Sequence, residues 1–292
     1  MKKTILYTMI ACLMLVSSGY TSFAQDVKVG LRGGVNFPTI TSGGTKSPAS
    51  DGYSSRTAFG TGIFTEIQFK KSFSLRWGVE YSGQGGKKNG MQAFPTSRMM
   101  TEMISGMGMG ADENVIGMLM GLPLPQYYYA DVKNTVKFDY VMIPILAQYT
   151  LHLGNSPWSV YINAGPYVSF LVNGEQASKG TSSLYADANG QTLMWNLLDA
   201  QTQQQISTAL PDFANTLQNS VPFGDTNITG EMKSTNFGVT GNIGIKYECG
   251  RNSFFVEGGG NYGFLTIQQN SQNGTNRLCA ISVMAGYAFS MF

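Results

Sequence analysis

Apolar and polar residues alternate with period two in eight separate stretches of the chain. That is the period of a β-strand whose two faces meet different surroundings. From Val27 to Phe37, Val29, Leu31, Val35 and Phe37 share one face, and Lys28, Arg32 and Asn36 share the other. From Thr57 to Phe69, Phe59, Ile63, Ile67 and Phe69 alternate with Gly60, Gly62, Glu66 and Gln68. The cleanest stretch is Phe73 to Gln84, where Phe73, Leu75, Trp77, Val79 and Tyr81 oppose Ser74, Arg76, Gly78, Glu80 and Ser82. The fourth, Asn134 to Leu151, sets Val136, Phe138 and Tyr140 against Lys137 and Asp139, and its phase blurs from Met142 to Pro144. Proline inside a strand sits at bulges or edges, so a β-bulge is expected there. The remaining four run Trp158–Val172, Thr235–Cys249, Ser253–Thr266 and Arg277–Phe292, with Tyr161, Asn163, Lys246, Glu248 and Glu257 on polar faces.

Each stretch exceeds the roughly 10 residues that a tilted strand needs to cross a bilayer. Between them lie 19, 3, 49, 6, 62, 3 and 10 residues, so long and short connections alternate strictly. Short turns on one side and long loops on the other mark an up-and-down barrel, and bacterial barrels have even strand numbers. The expected fold is all-β: an eight-stranded antiparallel up-and-down transmembrane β-barrel over residues 25–292. Short helices are expected in long external loops at 85–133 and 173–234. The chain then enters and leaves on the periplasmic side.

Composition agrees with a wall that faces lipid. Charged residues make up 12% of the chain, against about 25% in soluble domains, and there are 36 Gly, 15 Tyr and 17 Phe. A mean hydropathy of -0.07 is no obstacle, because alternating strands average to near neutrality. Lys2 and Lys3, the apolar run from Ile5 to Val16, and the small residues Ser22 and Ala24 read as a signal peptide over residues 1–24. The expected destination is the cell outer membrane, with outer-membrane lipid and the barrel-assembly machinery as partners. A net charge of +2 gives no nucleic-acid signal.

Eight strands enclose room for side chains or for one small ligand. The polar faces put Lys28, Arg32, Arg76, Lys137 and Lys246 inside, with Glu66, Glu80, Asp139, Glu248 and Glu257. Buried charges are costly unless paired, so a neutral, salt-bridged lumen is expected; a polar conduction path or proton relay is the alternative. Counting back from the turn at Lys70–Ser72, with Phe69 opposite Phe73, sets Glu66 opposite Arg76. The same counting brings Lys246 towards Glu257 across a later short turn.

Catalytic and cofactor signals are sparse. His152 is the only histidine and falls in a short turn on the periplasmic side. No His or Cys cluster has zinc spacing. Gly258, Gly260 and Gly263 match a G-x-G-x-x-G pattern, but inside a strand, so no cofactor is expected. Cys249 and Cys279 fall at opposite ends of their strands, too far apart for a disulfide. Eight of the 16 Met lie between Met91 and Met120, and Met99, Met100, Met103, Ile104 and Met107 recur at helical spacing. Asp112 caps a second short helix reaching Met120. Leu193, Met194, Leu197 and Leu198 share a face, and Pro211 starts a turn carrying Phe213 and Leu217. These helices either roof the barrel or offer an adaptable Met-rich surface to an envelope protein partner.

The segment VKVGLRGGVNF from Val27 resembles the opening strand of the PorT-like outer-membrane β-barrel family. FDYVMIPILAQY from Phe138 resembles that family's fourth strand. The ending GYAFSMF resembles a carboxy-terminal assembly signal built on Tyr287, Phe289 and Phe292. The resemblance covers the strands and not the two long loops. It implies an outer-membrane barrel, and one subset of the family belongs to a secretion apparatus. The expected function is a non-enzymatic barrel with a structural or surface-binding role. A component of an envelope secretion or transport assembly is the second reading, and an outer-membrane hydrolase the third.

Overall fold

The computed structural model describes residues 26–106, 113–271 and 274–291. The signal-peptide reading, Met107, the capping role of Asp112 and the terminal Phe292 lie outside the described residues.

The strands are β1 (Asp26–Ser42), β2 (Ala58–Lys70), β3 (Phe73–Pro95), β4 (Tyr127–His152), β5 (Trp158–Ser182), β6 (Val221–Phe223), β7 (Thr226–Asn227), β8 (Thr235–Cys249), β9 (Asn252–Gly263) and β10 (Asn276–Ser290). The helices are α1 (Thr96–Gly106), α2 (Glu113–Met120), α3 (Ala200–Ala209) and α4 (Pro211–Gln218). Eight strands close an antiparallel ring in the order β4, β3, β2, β1, β10, β9, β8, β5, with β5 returning to β4. The connections 71–72, 153–157 and 250–251 gather at one end, and the links from β1 to β2, β3 to β4, β5 to β8 and β9 to β10 leave from the other.

The outward face of this ring is apolar. Leu31, Ile63, Ile162, Ile243 and Ile281 are each more than half exposed. No water-soluble sheet leaves such a wall uncovered, whereas lipid covers it at no cost. Aromatic residues edge the wall at both rims. Trp158 meets Tyr247 at 4.9 Å and Phe254 meets Tyr287 at 5.3 Å at the short-turn end. Phe237 meets Phe264 at 5.7 Å at the long-loop end. Cys249, exposed, ends β8 beside the short turn, and Cys279 lies towards the opposite end of β10; both thiols are free.

Several expectations are corrected. The segments 85–133 and 173–234 are not loops throughout. β3, β4 and β5 run on past the ring, and β6 and β7 pair with β5 beyond it. Nor does β4 bulge at Met142–Pro144. Its even-numbered residues are buried from Ala130 to Thr150 without a change of phase. Pro144 has no N–H to give, and Ile143 and Pro144 have no partners on β3, yet the register on either side is the same. The irregularity falls instead between Asp139 and Tyr140, where Val172 of β5 is the extra residue.

The apparent blur has a physical cause. Val136, Phe138 and Tyr140 point inward, so Lys137 and Asp139 point outward, opposite to the expected assignment. Above the lipid the outside is water and the inside is a protein core, so the apolar face changes sides while the chain keeps its phase. That upper core holds Ile40, Val136, Phe138, Tyr140, Tyr167 and Leu278 across the mouth of the ring. Above it, a second core of Ala130, Val132, Met194, Ile206, Phe213 and Leu217 joins the strand extensions to the helices.

Candidate functional site

The lumen is built in layers, starting at the short-turn end. There the Nζ of Lys28 donates to Glu248 at 2.6 Å and lies 3.8 Å from Asp26, and Lys246 sits 3.3 Å from the same Glu248. These groups surround a polar cavity of about 110 Å³ that Glu66 and His152 also line. Lys246 does not approach Glu257: it is registered against Phe255 and reaches Glu248 two residues along its own strand. His152 ends β4 at this cavity, half-buried, and not in a free turn.

The middle layer centres on Glu257, 1% exposed. One of its oxygens accepts from Nη1 of Arg32. The other accepts from Nη1 of Arg76 at 2.9 Å and from the Tyr161 hydroxyl at 2.6 Å. Arg32 reaches on to Glu80 at 2.6 Å. Arg76 reaches back to Glu66 at 3.5 Å, and Glu66 accepts from Ser74 and Gln148 at 3.0 Å each. Glu66 and Arg76 face each other in the register. The turn beside them is one residue tighter than the simplest count: Lys70, not Phe69, stands opposite Phe73.

The Arg76 guanidinium lies 4.5 Å from the ring centre of Phe64 and 5.2 Å from those of Tyr161 and Phe255. A guanidinium this deeply desolvated gains from aromatic faces as well as from carboxylates. Each ring lies directly across from a glycine: Phe64 from Gly30, Tyr161 from Gly244, Phe255 from Gly286. A Cβ at any of these three glycines would strike the ring beside it. The absence of a side chain there makes the room that the aromatic layer fills.

From Gln148 in this layer a hydrogen-bonded row runs through Asn163 to Asn242, and a cavity of about 20 Å³ near Asn36 and Glu80 has room for one water molecule. The apolar mouth core closes over it.

Eight of the ten candidate charged residues therefore meet in the lumen, and two do not. Lys137 lies on the outer face and holds Glu175 at 3.0 Å. Asp139, also outside, accepts from the Tyr81 hydroxyl at 2.6 Å and from Asn173 at 3.3 Å. Sequence reading missed Glu175 and the ring of Phe64 and Phe255. The available signal was a large apolar residue at an inward position, but its glycine partners become visible only once the register is known.

Of the Met-rich candidates, Met99, Met100 and Met103 of α1 pack against the outlying core, and Met120 at the end of α2 is 77% exposed. Leu198 and Met194 are buried there, while Leu197 turns out to solvent at 40%. Asp199 caps α3: its carboxylate accepts from the Thr202 N–H at 2.9 Å and the Thr202 hydroxyl at 2.8 Å. Those bonds hold its pKa below the usual carboxylate value, and backbone N–H groups of Thr192, Gln191 and Asn189 do the same for Asp187. Tyr287 and Phe289 lie on β10; Tyr287 donates to Asn252 at 2.6 Å.

A closed eight-stranded ring with an apolar outer wall, two aromatic rims and a charged interior is an outer-membrane β-barrel. The sequence model of the outer membrane protein beta-barrel domain matches residues 23–269, and the chain belongs to that family. It lies in the cell outer membrane. No curated protein matches it. Solved structures with similarity include neisserial surface protein A, 11% identical over 90% of this chain and 97% of that one, with a TM-score of 0.38. A major outer membrane protein from Thermus thermophilus is 10% identical over 92% and 100%, with a TM-score of 0.41. The outer membrane protease OmpT from Escherichia coli is 9% identical over 94% and 99%, with a TM-score of 0.37.

Proposed function

We propose that this protein is a closed, non-enzymatic barrel that anchors and displays a folded external module. The observation that carries the reading is the layer of Glu257, Arg32, Arg76, Phe64, Tyr161 and Phe255 across the bore. Each of its charges has an opposite partner, since Arg32 and Arg76 share Glu257 and reach on to Glu80 and Glu66, and its rings fill the remaining width, so the lumen serves as a plug. The binding function then belongs to the extensions of β3, β4 and β5 with their helices. The lumen carboxylates are held by cations, and His152 sits at the periplasmic mouth, far from the outer leaflet, which favours the non-enzymatic reading over a hydrolase.

Reconstitution in planar bilayers tests the plug directly. The expected result is no stepwise conductance; steady channel openings from the folded protein would overturn it. The segments VKVGLRGGVNF and FDYVMIPILAQY support a place among the PorT-like barrels. Pull-down from solubilised envelopes separates a free-standing display barrel from a secretion component, which would bring down a stoichiometric set of envelope proteins.

A further inference from the structure

Just outside the membrane, four lysines gather on the outward face of three adjacent strands. Lys133 of β4 stands directly across from Lys179 of β5. Lys137 lies four residues further along β4, and Lys87 of β3 is registered with the intervening Thr135. Lys87, Lys133 and Lys179 are exposed. Lys137 is held by Glu175 at 3.0 Å, whereas the other three have no ion-pair partner among the described residues. Like charges directly opposite each other destabilise a sheet. The acidic groups on or beside this face are Asp131, two residues beyond Lys133, Glu175 itself, Asp225 between β6 and β7 alongside β5, and Asp139 at the membrane rim, bound to Tyr81. The face is therefore basic in its upper part, with an unfavourable pair at its centre that an anion would relieve.

Height selects the anion. Val141 is the next outward residue of β4 on the membrane side of Asp139. At about 3.3 Å per residue on a strand tilted by about 40°, Lys137 stands roughly 10 Å above Val141 and Lys133 roughly 20 Å. Ordinary phospholipid headgroups extend only about 5–8 Å beyond the hydrocarbon. They reach the lower lysine at most. A glycolipid with phosphates on its sugars spans the whole range. We propose that this face binds a phosphorylated glycolipid of the outer leaflet, with sugar phosphate seated between Lys133 and Lys179. The proposal is independent of the display reading, since it concerns the side of the extension and not its helices.

The test is binding of the folded, detergent-solubilised protein to immobilised rough lipopolysaccharide at physiological salt. K133S/K179S should weaken it by about tenfold and flatten its dependence on salt. K70S/K71S, at the periplasmic turn, should bind as the parent does. Heat-modifiable migration on gels verifies that each variant is folded. Absence of binding by the parent protein would overturn the proposal, as would full binding by K133S/K179S or equal binding to dephosphorylated lipopolysaccharide. Equal binding to phosphatidylglycerol vesicles would overturn the assignment to a glycolipid and leave a general anionic-lipid surface in its place.

Discussion

Residues 136–140 and 145–151 belong to one unbroken strand and solve opposite problems. In the first, Val136, Phe138 and Tyr140 turn inward and are almost fully buried. In the second, Ile145, Tyr149 and Leu151 turn outward and are about half exposed, while Leu146 and Gln148 are buried within. The backbone is the same, and the solvent is not. Around the lower segment the outside is lipid and the inside is a charged lumen. Around the upper one the outside is water and the inside is a packed core. Amphipathicity thus reports which face meets which medium, and only together with depth does it report which face is inside.

The comparison predicts different failures in the two regions. The largest effect is expected at the centre of the lumen. Glu257→Ala leaves Arg32 and Arg76 buried without their shared carboxylate, which costs about 3–5 kcal/mol, read as a lower urea midpoint for unfolding from lipid vesicles. An unchanged midpoint would show that the lumen is wet enough to solvate both guanidinium groups.

Leu217→Ala acts in the outlying core and should cost about 3 kcal/mol, but locally. Surface protease should then cut the extension faster while heat-modifiable migration of the barrel is preserved. Loss of both together would mean that the two regions fold as one unit and would break the comparison.

A smaller effect is expected between Glu66 and Arg76. A double-mutant cycle with alanine at each should give a coupling of about 1 kcal/mol, because each group keeps other partners. Zero coupling would argue against the 3.5 Å contact between them.

The smallest effect concerns pH. Asp187 and Asp199 titrate below their ordinary value in the folded extension, so they contribute stability that is complete above about pH 4 and lost as the pH falls through their folded values. Proteolysis of the extension should therefore speed up below about pH 4, and Asp199→Asn should reduce that response. A response identical to that of the parent would remove the Asp199 cap from the account.

Much of the barrel was legible from alternation alone. Strand β8 has the expected bounds, and the lipid-facing residues of β1, β2, β3, β8, β9 and β10 lie where period two puts them. The pairing of Glu66 with Arg76 came out as counted although its starting pair did not: Phe69 is an extra residue beside the turn, and the counted register returns from Gln68 on. The extensions were not legible, because a search for apolar-out strands stops where the medium changes. The contacts of Lys246 were missed because turn counting gives neighbours across strands, and this side chain found Glu248 along its own.

By itself the sequence determined that eight strands would cross lipid, because a chain with no water to satisfy its backbone must close into a barrel, and the period of its apolar residues shows where. Tertiary structure decided which charges meet. Arg76 lies 181 residues from Glu257 along the chain, and nothing local links them. Only ring closure and its stagger bring β3 to face β9 across the bore, and only then do Gly30, Gly244 and Gly286 prove to be the spaces that Phe64, Tyr161 and Phe255 occupy.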